Sequence, residues 1–292
     1  MRRESRRYRD GARYCGVARG RPLRLSVFAA ALALSAAPVI GGCGGGKSPA
    51  EWLSACGKAV SEYAAAGGYL HFVQESTNVV RTAQGILEEW FKAEGDIILP
   101  GRERYEYRQE LRSSLQPGEE AVNAFSYITV DGGKTAYVMG ERLSAELGVM
   151  GWVHYTPPQG QSRFLDYPKL MERVTGIRGS VEWLGYEEVQ GVRCAYLSLR
   201  ASGRELVDMR LQEDPALLEK YPELGEGEYA GEMAVRLWIS VESGLPVRMI
   251  METDSGEEGE VSVSGRMELV FSGYHGSPPS SIEAPATFTE AG

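Results

Sequence analysis

The sequence predicts an α+β fold in which one N-terminal helix precedes a long antiparallel meander, with one or two further helices inserted between its later strands. Three observations lead there. Apolar residues recur at helical spacing near residues 49–66, then give way from Tyr69 to long segments rich in Val, Thr, Tyr and Trp. Turn signals of the hairpin kind separate those segments. Strands and helices do not alternate regularly, so a doubly wound parallel sheet is excluded.

The first helix opens at Pro49-Ala50-Glu51-Trp52 with Ser48 as its N-cap, and Trp52, Leu53, Cys56, Ala59, Val60 and Tyr63 fall on one face. Gly67-Gly68 stops it. Strands are predicted over about 69–81, 84–98, 103–111, 123–131, 134–139 and 151–155, with Asp131-Gly132-Gly133 as a hairpin turn. Phe164 to Val174 reads as a short helix despite Pro168. Strands resume at about 180–189 and 192–201 around Gln190-Gly191. Arg204 to Leu224 is helical again, restarting at Asp214-Pro215 as an N-cap followed by proline. The last strands cover about 231–242, 246–253 and 261–274. Val235, Leu237, Ile239 and Val241 share one face of their strand, and Val247, Met249 and Met251 answer across the turn, so one face of this sheet is apolar.

Ahead of these elements lies an export signal. Nine arginines against Glu4 and Asp10 occupy the first 24 residues, and an apolar run from Leu25 to Ile40 comes next. At about 16 residues the run is shorter than a permanent membrane helix requires. Val39-Ile40-Gly41-Gly42-Cys43 resembles the bacterial lipobox, in which the cysteine receives diacylglycerol. The expected organisation is a signal peptide over 1–42, a lipidated Gly-rich tether over 43–49 and one domain over 50–288, since no low-complexity linker interrupts 50–285. Gly41 to Ser48 also satisfies the P-loop pattern, but an export signal stands where a buried strand is needed and Ser48-Pro49 interrupts the segment after it, so no phosphate site is expected. Without the signal's charges the chain holds 22 Lys+Arg against 38 Asp+Glu, about −16 where the whole sequence carries −9. Nucleic acid is therefore not a partner, and attachment to a membrane falls to the acyl chains.

Cys15 leaves with the signal and Cys43 is taken by lipid. Cys56 and Cys194 remain, either as a disulfide or as two separately buried thiols. Catalytic and metal sites are not expected. His71, His154 and His275 lack metal-ligand spacing, and no G-x-S-x-G elbow is present. The acidic clusters Glu119-Glu120, Glu187-Glu188 and Glu257 to Glu260 suit solvated hairpin tips better than paired catalytic carboxylates. Aromatics such as Trp90, Tyr105, Tyr107, Tyr137, Trp152, Trp183 and Trp238 fit core or cross-strand pairs, with a ligand groove as the alternative.

Three stretches carry a family resemblance. They are Gly185-Tyr186-Glu187-Glu188-Val189-Gln190-Gly191-Val192-Arg193-Cys194-Ala195-Tyr196, the hairpin Leu237-Trp238-Ile239-Ser240-Val241-Glu242-Ser243-Gly244-Leu245-Pro246-Val247-Arg248, and Phe271-Ser272-Gly273-Tyr274-His275-Gly276 running to Ile282-Glu283-Ala284-Pro285. In this order they resemble the LolA-like, LppX/LprG-like superfamily of bacterial lipoproteins, with Ser240 and Ser243 where Asp and Thr are usual. The resemblance implies a strongly curved antiparallel sheet, a half barrel whose concave face the helices cover, around an apolar cavity for acyl chains. The groove candidates are Tyr137, Met139, Trp152, Val235, Leu237, Ile239, Val247, Met249 and Met251. The expected protein is a non-enzymatic monomer without cofactor, held at the outer face of the cell membrane through diacylglyceryl-Cys43, with a lipid or acyl-chain ligand. The rival expectation is a filled core serving as a protein-interaction or envelope-assembly module.

Overall fold

The computed structural model describes residues 47–114, 120–140, 150–156, 165–225, 229, 231–255, 261–278 and 281–290. Helix α1 (Pro49–Ala65) starts where Ser48 accepts from the Glu51 N–H while Glu51 reaches back to the Ser48 N–H, a capping box that satisfies two otherwise orphaned donors. The chain then runs through β1 (Tyr69–Thr82), β2 (Gly85–Ile98), β3 (Arg102–Ser113), β4 (Glu120–Val130), β5 (Thr135–Met139) and β6 (Val153–Tyr155). Asp131–Gly133 turns between β4 and β5 as a single 3-10 turn with Gly132 at positive φ.

Helix α2 (Tyr167–Thr175) is capped by Asp166, so Pro168 falls in its first turn, where no N–H partner is lost. Hairpin β7 (Ser180–Val189) and β8 (Val192–Ser202) leads into α3 (Gly203–Glu213), which has a second capping box from Ser202 and Glu205. The restart at Asp214-Pro215 differs from the expected N-cap. Asp214 closes α3 by donating its N–H to Arg210 O, and the short α4 (Ala216–Lys220) begins from Pro215 without a side-chain cap. Strands β9 (Glu232–Ser240), β10 (Pro246–Asp254) and β11 (Val261–Ser272) come after it, and β12 (Thr289–Glu290) is a two-residue addition that the sequence did not announce.

All twelve strands join one open, curved sheet in the order β12-β6-β5-β4-β3-β2-β1-β11-β10-β9-β8-β7, antiparallel except where β12 meets β6. The first and last long strands, β1 and β11, pair over twelve residues at its middle. The chain passes from β6, near one end, to β7, at the other, by way of α2. Helices α1 and α2 cover the inner face. There Leu70, Phe72, Ala93, Ile97, Tyr105, Tyr127, Ala136, Leu197, Leu199, Val235, Leu237, Ile239, Met249, Leu269 and Phe271 form one buried cluster with Trp52, Leu53, Cys56 and Val60 of α1 and Tyr167, Met171 and Val174 of α2. Hydroxyls fasten the helices to the sheet. The Tyr167 and Tyr274 hydroxyls share a hydrogen bond of 2.8 Å, Tyr274 donates to Pro246 O, and Tyr63 of α1 donates to Tyr69 O.

Two smaller apolar clusters lie on the outer face, one of Cys194, Trp238, Val247 and Ile250 and one of Ile128, Tyr137 and Ile282. This division decides the cysteines. Ala195, Leu197 and Leu199 of β8 face inward, so strand alternation turns Cys194 outward, whereas Cys56 sits in the inner core. The sheet stands between the two sulfurs, both thiols are free, and the Cys56–Cys194 bridge gives way to its alternative of two separately buried thiols. Burial pushes the Cys56 thiol up to about 12 and the Cys194 thiol up to about 11.

Candidate functional site: an apolar shelf on the inner face

The register of the long strands decides which inner-face side chains lie beside one another. One row across the sheet reads Met249, Leu269, Gln74, Ala93, Tyr107 and Phe125, from β10 through β11, β1, β2 and β3 to β4. The next row reads Met251, Met267, Ser76, Phe91, Gln109 and Asn123. The helices seal the strands up to about the first row. At the outer part of that row and in the next, Tyr107, Phe125, Phe91, Met251 and Met267 are only half-buried, and all but Phe91 pack directly on the sealed core. The rings of Phe91 and Tyr107 stack at 5.8 Å and those of Tyr107 and Phe125 at 4.5 Å. The result is a shelf of aromatic and thioether groups, continuous with the core and only partly covered.

Polar groups run along the shelf. Gln74 and Ser76, both buried, are joined by a bond from Gln74 Nε2 to Ser76 Oγ. Farther out, Glu89 accepts from Asn78 Nδ2 and from Gln109 Nε2, and Gln109 Oε1 accepts from Asn123 Nδ2. Burial, with the nearby charge of Glu89, raises the Tyr107 hydroxyl above its ordinary value, so it stays protonated and can donate. Apolar surface bordered by paired amides suits a ligand with a long hydrocarbon part and a polar end.

The nine groove candidates from the sequence fall in three places. Val235, Leu237, Ile239 and Met249 are fully buried in the sealed core. Met251 stands on the shelf, the one candidate that does. Tyr137 and Val247 are buried in the outer clusters, Trp152 packs on the cluster of Tyr137, and Met139 is exposed. The displacement of Val247 has a definite cause. The pairing of β10 with β9 slips between Pro246 and Arg248, and this bulge turns Val247 away from Met249 and Met251. Val241 lies past the end of β9, exposed. Nothing in the sequence sets Phe91, Phe125 and Met267 apart as ligand residues, although the apolar parity of Phe91, Ala93 and Ile97 along β2 is visible there.

The other sequence features separate. His71 contacts Asp96 at 3.1 Å, His154 contacts Glu290 at 2.6 Å, and His275 packs on Tyr63. Among the described residues no group of three or more His, Cys, Asp or Glu could hold a metal, and no helix is long and apolar enough to cross a membrane. Glu187 accepts from the Trp238 indole N–H, which gives it a structural role. Ser48-Pro49 does not interrupt the chain but opens α1, with the Ser48 hydroxyl taken by the cap. Cys43 and the rest of 1–46 lie outside the described residues, as do Glu119 and the acidic residues Glu257, Glu258 and Glu260.

No protein-family model and no curated protein sequence matches the chain. Among solved structures it is similar to LprF from Mycobacterium bovis, with a TM-score of 0.46 and 18% identity, covering 82% of this chain and 97% of that one. It is also similar to the lipoprotein LppX from Mycobacterium tuberculosis, with a TM-score of 0.36 and 14% identity over 81% of this chain and 100% of that one. A DUF1329 family protein from Desulfovibrio piger is similar at a TM-score of 0.21 and 11% identity, covering 78% and 95%.

Proposed function

We propose that this chain is an extracytoplasmic lipoprotein, anchored through diacylglyceryl-Cys43, that binds the acyl part of a lipid or lipidated molecule on the inner-face shelf for carriage, transfer or sensing. The observation that carries the proposal is the half-buried shelf of Met251, Met267, Phe91, Tyr107 and Phe125, drawn from two neighbouring rows, an apolar surface that water solvates poorly and methylenes cover well. At about 0.8 kcal/mol per buried methylene, ten of them contribute roughly 8 kcal/mol before ordering costs, enough for reversible holding without any reacting group. The export signal and the lipobox support placement outside the cytoplasm, and the polar amides beyond Phe91 give the head of the ligand its partners.

Native mass spectrometry of the chain, followed by organic extraction, tests this reading. The wild type is expected to carry discrete adducts that extract as lipid, and Phe125→Asp, on the shelf but outside the sealed core, is expected to lose them while keeping its far-UV spectrum. A wild-type chain that stays free of adduct after incubation with membrane lipids overturns the reading. It would favour the rival in which the fully buried Val235, Leu237, Ile239 and Met249 belong to a filled core and the partner is a protein.

A further inference from the structure

We propose that the surface where α1 meets the edge strand β7 is the face on which the protein rests against its membrane, with the headgroup layer of the bilayer as partner. The inference rests on the reading of Cys43 as the lipidated residue. Only Gly44, Gly45, Gly46 and Lys47 separate Cys43 from the cap of α1 at Ser48. Those five steps span at most about 18 Å, far less than the roughly 46 Å of a fourteen-residue strand. The bilayer therefore lies within reach of the start of α1 and of little else.

The surroundings of that start fit a headgroup layer. The Lys47 ammonium lies 4.6 Å from the ring centroid of Trp52. Trp52 stacks on Trp183 of β7 at 6.4 Å, and Trp183 meets Tyr186 edge-on at 4.9 Å. The Arg193 guanidinium covers the Tyr186 ring at 4.6 Å. A bulge shapes this patch, because Trp183 pairs with Leu197 and Gly185 with Tyr196, leaving Leu184 without an opposite residue. The extra residue brings Trp183 and Tyr186 to one face, and Gly185 accommodates it at φ 120°. Leu184 and Tyr186 remain 42% and 49% exposed, a costly display on an edge strand unless something covers it.

Trp52 is buried beneath the patch, so the half-buried Trp183 and the exposed Tyr186 are the aromatics that reach the headgroup level such side chains prefer, while Lys47 and Arg193 extend apolar stems with their charge in the polar layer. The anchor supplies the affinity, and the patch sets the orientation. The acids of the same strand do not oppose this as a block, since Glu187 is held by Trp238 and Glu188 stands opposite Arg193 in the ladder, which leaves Glu182 at the other side of Trp183.

The test uses the full lipidated chain on vesicles of phosphatidylethanolamine and phosphatidylglycerol, with an environment-sensitive fluorophore at Leu184→Cys or, as a distant control, Val122→Cys. Cys56 and Cys194 are buried and resist the label, which the chain without the new cysteine verifies. Nitroxide lipids are expected to quench the probe at 184 about threefold more than at 122, in keeping with side chains resting in the headgroup layer. Equal quenching at the two positions, with the chain still floating on the vesicles, overturns the docking face and leaves the anchor intact. Shielding of 184 that is already present in detergent micelles assigns the patch to a second copy and overturns it as well. A wild-type chain that does not float, or that floats no better than Cys43→Ala, refutes the anchor itself and the docking with it.

Discussion

At the scale of single residues, the inner face has one hydroxyl that works against the fold. Thr129 of β4 is fully buried, and its Oγ1 has no hydrogen-bond partner among the described residues. An unpaired buried hydroxyl loses its water without compensation, so the isosteric Thr129→Val is expected to raise stability by about 1 kcal/mol, measured by urea unfolding. The two thiols give a pH signature. Each is raised in the folded protein above its ordinary value of 9.0, to about 12 at Cys56 and about 11 at Cys194. The folded state thus retains protons that the unfolded state gives up, and the contribution, complete below pH 9, is lost as pH rises through the folded values. Stability is expected to fall between about pH 9 and 12, and Cys56→Ala should flatten that alkaline limb in a series of thermal melts. The strand parity that separates these sulfurs could be read from Ala195, Leu197 and Leu199. Its bearing on a bridge could not, because that required knowing that α1 lies on the opposite side of the sheet from Cys194.

At the scale of elements, close approach between strands is written into Gly95 of β2. A Cβ there would meet Arg104 O of β3 at 2.1 Å and Tyr105 Cβ at 2.5 Å, both parts of the neighbouring strand that cannot swing aside. Gly95→Ala is therefore expected to cost about 2–3 kcal/mol, seen as a lowered urea midpoint, although alanine is ordinarily harmless in a strand. Nearly every long element was legible in the sequence, because two-residue alternation and turn residues such as Asp131-Gly132-Gly133 report on local backbone. The bulges were not. The slip at Pro246 to Arg248 and the extra residue at Leu184 each reverse which side chains face inward, and neither leaves a mark in the apolar pattern. For this reason the alternation puts Val247 on the face of Met249 and Met251, whereas in the fold it packs with Cys194 and Trp238 on the other.

At the scale of the whole molecule, the position of the shelf depends on how far α1 and α2 extend across the inner face, a tertiary property. The sequence marked the apolar face of β9 and β10 as a groove, yet that is the part the helices close over Val235, Leu237 and Ile239. The open part lies farther along β2, β3 and β4, where Phe91 stands between Trp90 and Lys92, Tyr107 between Glu106 and Arg108, and Phe125 between Ala124 and Ser126, and all three look like parts of ordinary half-buried strands. The curved sheet and its helical cover were anticipated by family resemblance, and the order of strands was not.

That order has a consequence for how the protein comes into being. Strand β1 is the first to leave the ribosome or an export channel, and its partner β11 is nearly the last, about 190 residues later. Until β11 arrives, the newborn polypeptide presents one long, well-formed margin with its amide groups unsatisfied, ready to accept any similar strand that passes. Maturation is therefore governed by the completion of translation or transport, and the interval before it is the period in which an escort would protect this polypeptide most.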